Sequence, residues 1–358
     1  MPQTDLAQLS LLLVYGAMAA YTVALIAFAT DLFGVRDGQA VRDGQAAPRR
    51  RAAGIGMTTT FLAAVLHGIA IVARGVAAGR VPWANMYEFT LVFTFVAVVA
   101  FLALQRRWDL RALGTFVVGP VDLLLGIAVA VLYVRADGLP PALDSYWLVI
   151  HVSVATLSIG IFGVAGALAA VQLLQDRAEV QAEAGLLGEE QGDGGAELGD
   201  GGVGPGDGGV NPGDGGVNPG ASAPAGTGGT ATAVRATVRA GRAGRLGRLL
   251  ALLPSSVEIE RIVFRLNGIG FVLWTFTLVA GAIWAEHAWG RPWGWDAKEA
   301  WSFGIWVVYA AYLHARTTRG WQGRRSAYLT LTGVALIAGN YFIVNLLLNS
   351  RHAYSGIG

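Results

Sequence analysis

The chain reads as an all-α, polytopic integral membrane protein with about eight transmembrane helices, and three observations predict it. Hydrophobic residues make up 54% of the 358 residues and charged residues 14%, with a mean hydropathy of +0.51, a balance outside that of soluble domains. Apolar runs of about 20 residues, long enough to cross a bilayer as helix, recur eight times. Basic residues crowd into alternate loops between those runs, as the positive-inside bias requires.

The first run, near 9 to 30, follows a leader that carries Asp5 and no Lys or Arg, so it is expected to be a retained helix rather than a signal peptide. The next four lie near 56 to 74, 89 to 104, 113 to 134 and 147 to 174; the last three lie near 266 to 285, 301 to 316 and 327 to 348. The third and seventh are short. Arg49 to Arg51, then Arg106, Arg107 and Arg111, then the Arg235 to Arg248 cluster, then Arg316, Arg319, Arg324 and Arg325 assign their loops to the cytoplasm. The N-terminus, the loops at 75 to 88, 135 to 146 and 286 to 300, and the C-terminal tail are then outside, in a multi-pass protein of the cytoplasmic membrane surrounded by lipid. The net charge of +2 follows from this topology, and no nucleic-acid partner is expected.

Three regions are expected: membrane helices over 1–176, a linker over 177–253, and a second helical region over 254–358 that carries the most unusual motif. In the linker, Gly-Asp-Gly-Gly-Val-Gly-Pro from Gly199 recurs as Gly-Asp-Gly-Gly-Val-Asn-Pro from Gly206 and Gly213, and nothing there packs a core. A disordered, tolerated cytoplasmic insertion is expected rather than a docking tail. The tandem Val35-Arg-Asp-Gly-Gln-Ala and Val41-Arg-Asp-Gly-Gln-Ala reads the same way. Cysteine is absent, so disulfides, thiolate ligands and thioether attachment all fall to other proteins.

The unusual motif is Trp289-Gly-Arg-Pro-Trp293-Gly-Trp295-Asp296-Ala-Lys298-Glu299-Ala-Trp301, four tryptophans and a compact set of charges between two apolar runs. Interfacial aromatic belts need neither the Gly and Pro nor the Asp-x-Lys-Glu cluster. A slot for a flat, polarizable macrocycle uses all of them, with Asp296 and Lys298 at its rim, and haem is the first candidate. A plainer role is also open: Asp296 and Glu299 fit a capping box that starts the seventh helix, with Lys298 snorkelling to the interface.

Of five histidines, His151 and His352 fall at the outer ends of their spans and flank the tryptophan loop in topology, which suits axial ligands on opposite faces of one haem. Interfacial histidines bonded to water are the competing reading. His314 follows Trp301 by thirteen residues, about 20 Å along a helix, so it belongs to an inner position, as a second haem site or as a helix-end residue favoured by the dipole. His287 reads as a solvated loop residue, and His67 receives no role.

The run from Gly281-Ala-Ile-Trp284-Ala through Trp289, Trp293, Trp295, Asp296, Lys298, Glu299 and Trp301, continuing to Trp306, Tyr309 and His314, resembles the tryptophan-rich signature of the haem-handling family that contains CcsA, ResC, CcmC and CcmF. Three more segments resemble the CcsA/ResC branch in order: Arg74 with Gly79-Arg-Val-Pro82-Trp-Ala-Asn85-Met-Tyr87-Glu88, Ser145-Tyr-Trp147-Leu-Val-Ile-His151-Val, and Asn345 followed by His352. The tail departs from the family in reading Arg351-His352-Ala-Tyr354. The resemblance implies a subunit of the System II cytochrome c synthase, called CcsB in some bacterial lineages. Such a subunit transports or receives haem b, held non-covalently, across the cytoplasmic membrane and presents it reduced for thioether attachment to Cys-x-x-Cys-His of apocytochrome c on the outer side. It implies His151 and His352 as the outer axial pair to the iron and as the catalytic residues. His314 becomes the intramembrane histidine, and Trp289, Trp293, Trp295, Asp296 and Trp301 the haem-holding loop. It further implies a ResB-type membrane subunit and a thioredoxin-like thiol reductase as partners. A haem exporter or chaperone without ligation activity would share every one of these residues, and a haem-linked electron-transfer subunit would need a second inner histidine from another chain.

Overall fold

A computed structural model describes residues 3–33, 51–136, 145–193 and 253–348. Among them are eight α-helices: α1 (Gln3–Phe33), α2 (Arg51–Ala78), α3 (Met86–Leu104), α4 (Gly114–Val131), α5 (Tyr146–Asp193), α6 (Ser256–Trp289), α7 (Ala297–Thr318) and α8 (Arg324–Leu347), with no strand. Seven of them are long and apolar enough to cross a membrane. The remaining helix, α7, falls below that apolarity because Lys298, Glu299, Ser302, His314 and Arg316 share its short length.

The helices outrun the apolar runs that announced them. Helix α6 begins at Ser256 rather than 266, because the Ser255 hydroxyl caps the amide of Glu258 at 3.3 Å and opens a polar first turn. Helix α5 continues to Asp193, past the point where the linker was expected to begin. Its extension through Arg177, Glu179, Gln181 and Glu183 is made of strong helix formers. The Gly-Asp repeats, the Arg235 to Arg248 cluster, the Val35 and Val41 tandem and His352 lie outside the described residues. By contacts the chain divides into two compact units, Met1–Asp176 with Leu249–Gly358, and Arg177–Arg248.

Helices α1 and α2 pack closely because small residues repeat every seventh position on both. Ser10, Ala17 and Ala24 on α1, and Ala63, Ala70 and Ala77 on α2, are all buried. Such a seam lets two backbones approach where lipid gives no hydrophobic drive of its own, and the Ser10 hydroxyl reaches the Ala70 carbonyl at 2.8 Å. His67 belongs to this seam, with Tyr21 Oη 3.4 Å from its Nδ1 and Phe95 edge-on to its ring.

Helices α5 to α8 meet around Phe162, Trp274, Ile305, Tyr309 and Ile337. Phe162 stacks on Tyr309 with ring centres 3.7 Å apart. Toward the His314 end, Glu260 pairs with Arg316 and accepts from Ser326 at 3.0 Å, while Asn267 donates to Thr330 at 2.8 Å. These polar groups pair between helices, which lowers the cost of burying them in a low-dielectric surrounding.

At the other end, Glu88 in the first turn of α3 gathers the preceding loop. Its carboxylate accepts from Arg74 Nε at 2.9 Å, from Arg80 Nη1 at 2.7 Å and from the Ala84 amide at 3.0 Å. Asn85 caps the helix by accepting the Glu88 amide at 2.9 Å. Arg74 is 1% exposed and Glu88 0%, so removing one partner leaves an uncompensated charge. Glu88→Ala is expected to destabilise the protein by about 3–5 kcal/mol, read as a large fall in the thermal unfolding midpoint in detergent. An unchanged midpoint would mean that Arg74 is solvated rather than held.

Candidate functional site

A cavity opens at the end of the bundle where α3 and α5 begin, α6 and α8 end, and the tryptophan loop connects α6 to α7. Its wall includes four indoles: Trp83 before α3, Trp274 and Trp284 on α6, and Trp293 in the loop after α6. Phe89, Leu148 and Tyr341 complete a largely apolar lining.

His151 enters this cavity from the second turn of α5. Its Nδ1 lies 2.9 Å from the Thr277 carbonyl oxygen on α6. A carbonyl only accepts, so Nδ1 carries the hydrogen, and in the neutral ring the lone pair is then on Nε2. That is the arrangement in which a backbone carbonyl fixes the tautomer and plane of a metal-ligating imidazole. Gly281, one turn after Thr277, makes the approach possible: a Cβ there would lie 2.8 Å from His151 Cε1. On the same wall the Trp284 ring lies nearly parallel to the imidazole, 6.2 Å between centres at 16°. A donor imidazole, a fixed tautomer and flat aromatic walls fit an iron porphyrin.

The tryptophan loop is shorter than the sequence indicated. Trp289 is the last residue of α6, Trp301 lies in the second turn of α7, and the irregular backbone covers Gly290 to Asp296. Gly290 ends α6 in the left-handed region at φ 67°. Trp295 also takes a left-handed φ of 57°, a conformation that costs an ordinary residue about 1–2 kcal/mol. Glu299 holds it there. Its Oε2 accepts the Gly294 amide at 2.6 Å and the Asp296 amide at 3.2 Å, while Asp296 Oδ1 accepts the Glu299 amide at 2.9 Å. The capping box expected from Asp296 and Glu299 is therefore present.

Of the residues singled out in the sequence, His151 and Trp293 line the cavity. Trp289 stands behind that wall, edge-on to Trp284 at 4.9 Å. Trp295 is 70% exposed and packs against Trp293 and Phe303. Asp296 is the cap of α7, and Trp301 is pressed onto α8, where a Cβ on Gly339 would lie 2.4 Å from its ring. His314 sits on α7 away from the cavity lining, exposed on the same face as Phe303 and Val307. His287 is not in a loop but in the last turn of α6, its Nδ1 2.7 Å from the Ile283 carbonyl.

Lys298 departs from the snorkelling reading. Its ammonium turns inward, donating to the Asn345 side-chain oxygen at 2.8 Å and to the Asn340 carbonyl at 3.0 Å, both on α8. Sequence reasoning missed Trp83, Trp274, Trp284, Asn340 and Asn345 as cavity residues. The only signal was that Trp83, Trp284 and Asn345 fall in the segments that resemble the family.

A family model described as cytochrome C assembly protein matches residues 83–352. The chain belongs to that family. It is 33% identical to the cytochrome c biogenesis protein CcsA of Nostoc punctiforme over 79% of this chain and 83% of the relative. With CcsA of Crocosphaera subtropica it is 34% identical over 84% and 87% respectively. Among solved structures, the cytochrome c haem lyase CcmF shares the fold with a TM-score of 0.55 at 16% identity; the match covers 99% of this chain and about half, 51%, of that one. The stretch matched by the family model contains the whole cavity wall.

Gly281→Ala is expected to push His151 off the α6 backbone and to cost about 1–3 kcal/mol by overpacking. Gly163→Ala is the control, since a Cβ there meets no atom within 4 Å. Thermal unfolding in detergent should lower the midpoint for the first and not for the second; equal midpoints would contradict the close contact. Glu299→Ala should leave the Gly294 and Asp296 amides without their acceptor. The expected cost is about 1–3 kcal/mol, read as faster proteolysis between Gly290 and Asp296.

Proposed function

We propose that this chain is the haem-presenting subunit of a System II cytochrome c synthase in the cytoplasmic membrane, with the tryptophan loop and its cavity on the outer side. The observation that carries the reading is His151, its tautomer set by the Thr277 carbonyl, inside a cavity walled by four indoles. Family membership and the CcsA relatives support the same process. Haem b is the substrate to be delivered rather than a resident group.

The chemistry asks little of the protein as a reagent. Each cysteine thiol of Cys-x-x-Cys-His in apocytochrome c adds across one vinyl group. A sulfur–carbon bond forms, the thiol hydrogen goes to the adjacent carbon, and nothing leaves. The work of this chain is to orient a plane and keep oxidants out. His151 supplies one axial imidazole. His352 supplies the other: α8 ends at Leu347 with Asn345 already at the cavity, and the four peptide links from Leu348 to His352 reach about 14 Å when extended. The client's own histidine then displaces one of the two as product leaves.

His314 serves an inner haem site completed by a second membrane subunit of the ResB type. Its exposure on α7, in line with Phe303 and Val307, supports a ligand shared across a helix interface rather than one buried in this bundle. A thioredoxin-like reductase keeps the client cysteines reduced, since this chain has none. The Gly-Asp repeats take no part.

His151→Ala or His352→Ala should abolish holocytochrome c formation, with partial rescue by added imidazole that refills the coordination position. Unchanged assembly together with an unchanged reduced haem spectrum would remove that residue from the ligand set. His314→Ala should lower the haem content of protein purified with its partner subunit; full haem and normal synthesis would return His314 to a helix-end role. Deleting residues 185 to 230 should leave both haem content and synthesis near normal, and lost synthesis at normal protein level would reveal a docking element.

A further inference from the structure

The wall of the cavity formed by α7 and α8 carries polar groups that the axial-ligand reading does not use. An ammonium has three N–H donors. Lys298 places two of them on neutral oxygens, the Asn345 side chain at 2.8 Å and the Asn340 carbonyl at 3.0 Å, and these bonds tether the cation inside the lining. The nearby carboxylates have other partners as well: Asp296 caps the Glu299 amide while its charge also acts on Lys298, and Glu299 holds the Gly294 and Asp296 amides through Oε2, with its Oε1 4.0 Å from Arg291. Trp293 lines the same cavity, and its buried Nε1 has no hydrogen-bond partner among the described residues. Cations in a low-dielectric cavity with a donor left over bind anions strongly. A flat ligand held by an imidazole on α5 and α6 therefore meets a cation and an indole N–H on the α7 and α8 side.

We propose that Lys298, assisted by Trp293 Nε1, is the carboxylate anchor of this cavity and binds a propionate of the porphyrin. This inference rests on the cavity being the haem site. Iron protoporphyrin carries its two propionates on one edge and its two vinyls toward the opposite side of the ring. Fixing the propionate edge at Lys298 selects one in-plane rotation of the macrocycle. The vinyl side is then directed away from α7 and α8. His151 alone cannot do this, since an axial bond leaves the ring free to turn about it. Asn345 and Asn340 are positioning residues that hold the ammonium at the correct depth.

The test compares haemin with its dimethyl ester, in which both carboxylates are neutralised while iron, ring and vinyls are unaltered. The full chain, purified in detergent, is titrated with each and followed by the Soret band. Wild type is expected to bind the diacid at least tenfold more tightly than the diester. Lys298→Met should bring the diacid down to the affinity of the diester and leave the diester unchanged, which also shows that the cavity remains intact. Lys298→Arg should keep the preference. Equal affinities of wild type for the two probes would overturn the anchor without recourse to any variant, and so would a preference that persists in Lys298→Met. The underlying site reading fails in a different way: His151→Ala would then leave the Soret spectra of both probes unchanged.

Discussion

A side-chain nitrogen left unpaired inside a bundle of apolar helices is costly, because hydrocarbon supplies no partner. The bond between His151 Nδ1 and the Thr277 carbonyl answers that constraint and couples two helices in doing so. A helix carbonyl that also accepts a side-chain hydrogen can be reached only where the intervening surface is bare. Gly281 provides that gap. From this one contact follow the tautomer of His151, the spacing of α5 and α6, and the parallel setting of Trp284 beside the imidazole.

The rest of the cavity rim obeys the same logic with different groups. Glu88 draws the loop bearing Trp83 and Asn85 onto α3, and Glu299 draws the loop bearing Trp293 onto α7. Each uses a carboxylate in the first turn of a helix to collect amides from the residues that precede it. The two loops are thereby shaped by the helices they lead into, which fixes the indoles they carry.

How much of this was legible depends on the range of the interaction concerned. The spans were readable because a membrane crossing is written in about 20 consecutive apolar residues, and the start of α7 was readable because the capping box between Asp296 and Glu299 is local. The loop's extent was misjudged at Trp289 and Trp301, since both tryptophans continue helical backbone and nothing in their identity marks a boundary. The direction of Lys298 was not legible: it is set by Asn340 and Asn345, more than forty residues away on α8. Trp274 and Trp284 sit within an apolar run where any large residue reads as core. His352 was identified by its place after the last span and lies outside the described residues.

The membrane-embedded unit is discontinuous in sequence, leaving at Asp176 and resuming at Leu249. Every wall of the cavity nonetheless belongs to it, with Trp83 and His151 from the first part and Trp274, Lys298 and Asn345 from the second. The peptide bonds joining the two parts therefore carry no portion of the site. What holds the walls together is lateral association of helices already inserted in the bilayer. The site is thus a product of helix packing rather than of continuity of the chain.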